Sequence, residues 1–376
     1  MNKLAESYPI SPYCVVNVDN LYSWITFVAE QLNNKRRRAV FRKNEFCGET
    51  WIYRGQSNAE WEITSTLQRE IKIDTTQIKS FEHDMRGKEL AAILNFKALA
   101  WKFVPDPKMT RLEWLMLMRH YGVPTRLVDF SESPSVALHF AVEKEPDTDF
   151  AIWAVNRDKF RDAYIQSQVG SKLPGWENLT MKYGDQVMSE IENIESCDPI
   201  VKRAQDYLLN FILSDATIVM RNAFNRDLAN EILNTSLSCE PSIPEKMGVL
   251  WFTPEHPSPR MIAQRGLFLL PLRFSEPMTS SMIRTFEINS VKRIKGIGTL
   301  RISDKDLLKR IMPQVNIFKF VFKHEMLDEV KDYLQVAGCF NSNLYPDIDG
   351  VAEEVKNQMQ KSLSGYVGSL CELGVF

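Results

Sequence analysis

The chain of 376 residues lacks most of the features that place a protein at a glance. Its six cysteines, Cys14, Cys47, Cys197, Cys239, Cys339 and Cys371, nowhere fall at C-x-x-C spacing, so a zinc ribbon or redox pair is not expected and a reducing compartment is. The five histidines are far apart with no i, i+4 pair, and no metal is expected. No run of roughly 18 or more apolar residues exists, so no segment is expected to enter a membrane as a helix. The opening Met-Asn-Lys-Leu-Ala-Glu-Ser has no apolar signal core, and a cytoplasmic location is expected. A net charge of -2 exerts no global pull on nucleic acid or anionic lipid. The one basic patch, Lys35 to Arg38 with Arg42 and Lys43, reads as the solvated end of a helix, with nucleic-acid contact as the alternative. No repeat period or low-complexity tract appears.

What the chain does have is enough hydrophobic residues, 44%, to close a full core. Asp19 can cap a helix whose stripe is Leu21, Trp24, Ile25, Val28 and Leu32. Thr50 to Tyr53 reads as a strand that opens into a site at Arg54-Gly55. Thr75 to about Trp101 reads as one long or two abutting helices with Gly87 as the break, closed by a Pro105-Asp106-Pro107 loop. Further strands are expected at Phe150–Val155, Gly248–Phe252, Gly266–Leu270, Gly296–Ile302 and Val315–Phe322, the last as a half-covered edge. A helix from about Glu325 should end at Gly338, and Asp347 and Asp349 read as helix caps rather than calcium ligands.

The densest polar stretch is Arg119 to Phe140. Thr110-Arg111-Leu112-Glu113 is a capping-box start for a helix that Gly122 and Pro124 stop, and Ser133-Pro134 opens the next helix. Between them Arg126, Asp129 and Ser131 reach a helix N-terminus, whose unpaired N–H groups favour an anion such as phosphate. Asp129 salt-bridged to Arg126 is the purely structural alternative. Arg54, at the inner end of its strand, needs an acceptor, either Asp129 or a ligand phosphate, because a buried unpaired guanidinium is costly. A third polar cluster is Arg260 to Gly266, where Gln264 could bond a neighbouring strand or a ligand.

At these residues the chain resembles the FRG domain family. Tyr53-Arg54-Gly55-Gln56 with Trp61 to Arg69, His120 to Asp129 with Ser133-Pro134 and Ala137 to Phe140, Arg260 with Gln264, Gly266 and Phe268, and Leu344 to Gly350 carry the resemblance from about residue 15 to residue 360. It implies an N-terminal helical segment over 1–44, an FRG domain over 45–360 with a helical insertion at about 156–245, and a tail over 361–376. A more distant similarity is to ADP-ribosyltransferases of the arginine-serine-glutamate type. It implies an α+β fold, an ADP-ribosyltransferase-like split β-sheet core with helical insertions. NAD would be the cofactor, and a protein or nucleic acid the acceptor.

Arg54, Asp129, Ser131 and Gln264 are the expected catalytic set, with Asp129 outside the pattern of that resemblance. Tyr53, Arg54, Gly55, Gln56, Tyr121, Arg126, Phe130, Ser133, Arg260 and Gly266 would hold the cofactor, with Arg54 on a phosphate and Tyr121 or Phe130 stacked on the ring. Gln264 and Gly266 stand where the family carries Glu-x-Glu or Gln-x-Glu, so the carboxylate of an oxocarbenium-like transition state would have to come from Asp129 or Glu132. The expected function is NAD-dependent ADP-ribosyl transfer in bacterial or phage defence. The alternative is a non-catalytic module that senses a nucleotide or engages a protein.

Overall fold

The computed structural model describes residues 13–32, 51–70, 78–104, 108–157, 226–227, 229–230, 232–235, 248–287, 300–312, 315–356 and 359. Apolar runs supply eight strands: β1 (Cys14–Val18), β2 (Trp51–Gln56), β3 (Val128–Ser131), β4 (Phe150–Asn156), β5 (Val249–Phe252), β6 (Gly266–Pro271), β7 (Leu300–Arg301) and β8 (Ile317–Phe322). They form one mixed sheet in the order β5-β6-β3-β2-β4-β8-β1-β7. Pairing is antiparallel from β5 through to β8, then parallel across β8, β1 and β7.

The helices that flank the sheet include α1 (Leu21–Phe27), α2 (Thr66–Glu70), α3 (Ile78–Ala100), α4 (Arg111–His120), α5 (Pro134–Val142), α6 (Pro259–Ala263), α7 (Met278–Glu287), α8 (Lys305–Ile311), α9 (Leu327–Val336) and α10 (Asn341–Leu344). One hydrophobic cluster sets α1, α5 and α9 against Trp51, Tyr53, Ile152, Phe318 and Phe320. A second packs α3 and α4 on Leu250, Phe252, Phe268 and Leu270. The third covers the other face, where Ile63 and the α7 residues Met278 and Met282 meet Ile52, Val128, Phe130 and Trp153. Each such large side chain taken out of water contributes about 1.5–3 kcal/mol, so the three clusters together hold the helices to the sheet.

The structure corrects several expectations. The Arg119–Phe140 stretch is not a turn alone, because it contains β3, an inner strand whose four residues pair fully with β6. Residues 317–322 are not an edge; β8 lies between β4 and β1, and Phe318, Phe320 and Phe322 are wholly buried. Cys14–Val18, expected to lie in a helical segment, is a strand of the same sheet. Asn20, not Asp19, caps α1 by accepting from Ser23 N at 2.8 Å. Gly87 does not break α3, which runs through it; the cost of one helical glycine is about 1 kcal/mol, and tertiary packing outweighs it. Asp347 accepts from Gly350 N at 2.8 Å, whereas Asp349 lies inside the helical turn that follows. The Lys35–Lys43 patch, the Pro105–Pro107 loop, residues 296–299 and most of the 156–245 segment lie outside the described residues.

The capping signals form as the spacing predicts. Thr110 Oγ1 accepts from Glu113 N while Glu113 accepts from Thr110 N at 2.7 Å. Gly122, at φ +79°, takes the left-handed conformation that turns the chain from α4 toward β3. Ser133 caps α5, with Pro134 at its first position.

Candidate functional site

The site lies where β2 and β3 meet. Among the described residues these strands share one register pair, Tyr53 with Ser131, although β2 pairs with β4 along its whole length. The Arg54 side chain makes a further link between the two strands: Nη1 donates to the Asp129 carbonyl at 2.6 Å. Arg119, at the end of α4, donates from Nε at 2.9 Å and from Nη2 to Asp129 Oδ2, and from Nη1 to Thr66 Oγ1 at 2.7 Å. Burial, reinforced by Arg119 and Arg69 and opposed by Asp129, lowers the Arg54 guanidinium to about 10. Arg54 Nε is buried and has no hydrogen-bond partner among the described residues. Asp129 therefore pairs with Arg119, not with Arg126, and meets Arg54 through its backbone.

The seam continues into a crest at the ends of β3 and β6. Ser131 is in register with both Tyr53 and Gly266, so the Arg-Gly strand, the serine strand and the Gln-x-Gly strand are neighbours. Ser131 Oγ donates to the Gln264 carbonyl at 2.7 Å and accepts from Ser133 N at 2.9 Å. Gln264 ends α6, and its Nε2 donates to Leu344 O at 3.1 Å. Glu132 N donates to Arg265 O at 3.0 Å, and its half-exposed carboxylate pairs with the buried Arg157, whose guanidinium lies 4.5 Å from the Trp251 ring centroid. Arg260 stacks on Tyr345 at 4.3 Å, and Tyr345 donates to Glu143 at 2.7 Å.

Other expected ligand contacts are taken up by the fold. Tyr53 is fully buried in the core with Ala137 and Ala141, and Phe130 lies in the opposite core, so neither ring faces the crest. A Cβ at Gly55 would overlap the Ala137 carbonyl and lie 2.7 Å from Ala141 N; this glycine lets α5 approach β2 rather than a ligand. At Gly266 a Cβ would meet Met261 Cε at 2.9 Å. Gln56 accepts from Trp153 Nε1 at 2.6 Å and donates to Glu62 O at 3.2 Å. Arg126 is buried, donates to Glu89 at 2.6 Å and stacks on Phe274 at 4.4 Å. Ser133 is a helix cap. Tyr121 alone among the three candidate rings is exposed, at 69%.

Arg119, Thr66, Arg157 and Tyr345 escaped the sequence reading. Arg119 lies inside the conspicuous stretch, but at the last turn of a helix a cation reads as a dipole partner. Thr66 and Tyr345 lie in quoted blocks with no mark of their contacts.

Residues 49–149 match the FRG domain family, so the chain carries an FRG domain. That span takes in β2, α3, α4, β3 and α5, and with them Arg54, Arg119, Asp129 and Ser131. No curated protein and no solved structure matches the chain. No helix among the described residues is long and apolar enough to cross a membrane.

Proposed function

We propose that the FRG domain binds a nucleotide, NAD in the first instance, across the β2–β3 seam. One observation supports this reading: the three stretches that resemble ADP-ribosyltransferase motifs fall at the adjacent strands β2, β3 and β6, with Ser131 in register between Tyr53 and Gly266. Arg54 and Arg119 would hold the pyrophosphate, and the exposed Tyr121, two residues from Arg119, would cover a ring. The orphaned Arg54 Nε and the excess of guanidinium over carboxylate suit an anion. Calorimetry of the full chain with NAD tests it: binding is expected for the parent and its loss in Arg54→Ala, with a thermal melt to check folding. No heat from the parent at millimolar NAD would remove the proposal.

A transferase is the second reading, and Glu132 favours it. Gln264 offers no carboxylate and is tethered to Leu344, whereas Glu132 sits beside the head of β6 with its carboxylate half exposed. From there it could stabilise the positive charge that develops on a ribose as nicotinamide leaves. Mass spectrometry of labelled NAD incubated with the protein separates the readings. A transferase releases nicotinamide, less so in Glu132→Gln, whereas a sensor returns NAD intact. Either role would keep the protein in the cytoplasm, where NAD is plentiful, and would suit a defence protein that senses or consumes a nucleotide.

A further inference from the structure

Two guanidinium groups meet at Asp129 on the seam, one on its backbone carbonyl and one on its carboxylate. Arg54 donates from Nη1 to the Asp129 carbonyl at 2.6 Å, and Arg119 donates from Nε to Oδ2 at 2.9 Å. The geometry is underfilled. A guanidinium fork matches two oxygens of a carboxylate or phosphate, yet both Arg119 donors fall on one oxygen, Oδ2, while the buried Arg54 Nε donates to no described group. Positive charge in excess of its counter-charge is expensive in a partly dry site, so a fold that keeps it is poised for an anion carrying more oxygens and more charge. The carboxylate can yield: the Asp129 side chain is 43% exposed, against 21% for Arg119, so it can turn to water while the guanidinium stays.

We propose that Arg54 and Arg119 form a seat for the phosphoryl groups of the ligand, and that the Asp129 carboxylate is its resident competitor on Arg119, displaced when a phosphate enters. Asp129 is then a gate on affinity and not a catalytic carboxylate. Thr66, held by Arg119 at 2.7 Å, would turn its hydroxyl to the same anion. The natural source of the phosphate rests on the nucleotide reading above; the seat itself does not.

Inorganic pyrophosphate is the probe, added to the full chain at constant ionic strength and followed by calorimetry and by melting temperature. Asp129→Asn should bind it about fivefold tighter than the parent, the fold-change of a half-exposed ion pair that no longer has to be broken. Arg119→Gln should lose binding, and Arg119→Lys should keep part of it. Glu60→Gln, which removes one exposed carboxylate elsewhere, is the charge control and should not tighten binding. If Asp129→Asn binds no better than the parent, or only as much better as Glu60→Gln, the competitor role is overturned. Should Asp129→Asn fail to fold, the parent still decides. A rise in melting temperature with millimolar pyrophosphate that disappears in Arg119→Gln supports the seat, and no rise in the parent overturns it. NAD run in parallel separates the two claims: NAD binding without pyrophosphate binding sinks the seat alone, and the reverse sinks the NAD reading alone.

Discussion

Tyr53 and Ser131 face each other as the single register pair that joins β2 to β3 among the described residues, and Arg54 and Asp129 lie beside that junction. The Arg54 guanidinium adds a second link between the two strands by donating to the Asp129 carbonyl at 2.6 Å.

Gly55→Ala should destabilise the protein by about 1–3 kcal/mol or more, since the new methyl overlaps backbone atoms of α5 that cannot rotate away. A thermal melt within a degree of the parent would show that α5 can shift freely.

Arg126→Met should cost about 3–5 kcal/mol, because Glu89 would be left buried without its partner and driven by burial to take up a proton. Urea unfolding measures it. A small loss together with loss of NAD binding would instead return Arg126 to the ligand site.

At the crest, Ser131→Ala and Gln264→Ala should differ. Ser131 Oγ bonds two backbone groups, and its removal should cost about 1–3 kcal/mol, whereas Gln264→Ala should cost about 0.5–1.5 kcal/mol, because the serine bonds the backbone of Gln264. Equal losses in chemical denaturation would mean that the Gln264 side chain holds the crest.

Stability should fall in acid partly through Glu143. Burial pushes its carboxyl up, but His139 and Tyr345 outweigh this and hold it below its ordinary value near 4.5. A depressed carboxyl contributes stability that is present above that ordinary value and is lost as pH falls through the folded one. Tyr345→Phe should therefore flatten the acid limb of the stability–pH curve and leave the neutral plateau about 1 kcal/mol lower. An unchanged acid limb would remove Glu143 from the account.

Cys14 should be slow to alkylate at pH 8, since burial pushes its thiol up to about 12. Peptide mapping after a short iodoacetamide pulse reads this directly. Rapid labelling at Cys14 would contradict the packing of β1.

Local rules were readable where a few adjacent residues decide the outcome. The Thr110–Glu113 capping box, the Ser133-Pro134 helix start and the apolar run of β4 each follow from neighbours within one turn or one strand. Pairing was not readable in the same way. Val315–Phe322 alternates imperfectly and looked like an edge, yet its surroundings come from β1, some 300 residues earlier in the chain, and from β4. The four-residue β3 sits inside a stretch full of turn-forming residues, and only its partners β6 and β2 make it a strand.

The same division runs through the site. Residue types and motif order singled out Arg54, Asp129, Ser131 and Gln264, because an arginine-glycine step after an apolar run, a serine before a proline-started helix and a glutamine before a glycine are local signals, although β2 runs on past Arg54 to Gln56. Which atom each one meets was settled by the fold. Asp129 turned to Arg119 rather than to Arg126, Tyr53 and Phe130 went into opposite cores, and Gly55 made room for a helix. Side-chain chemistry is carried by the chain one residue at a time. The choice of partner depends on distances between strands far apart in sequence, and those exist only once the sheet has closed.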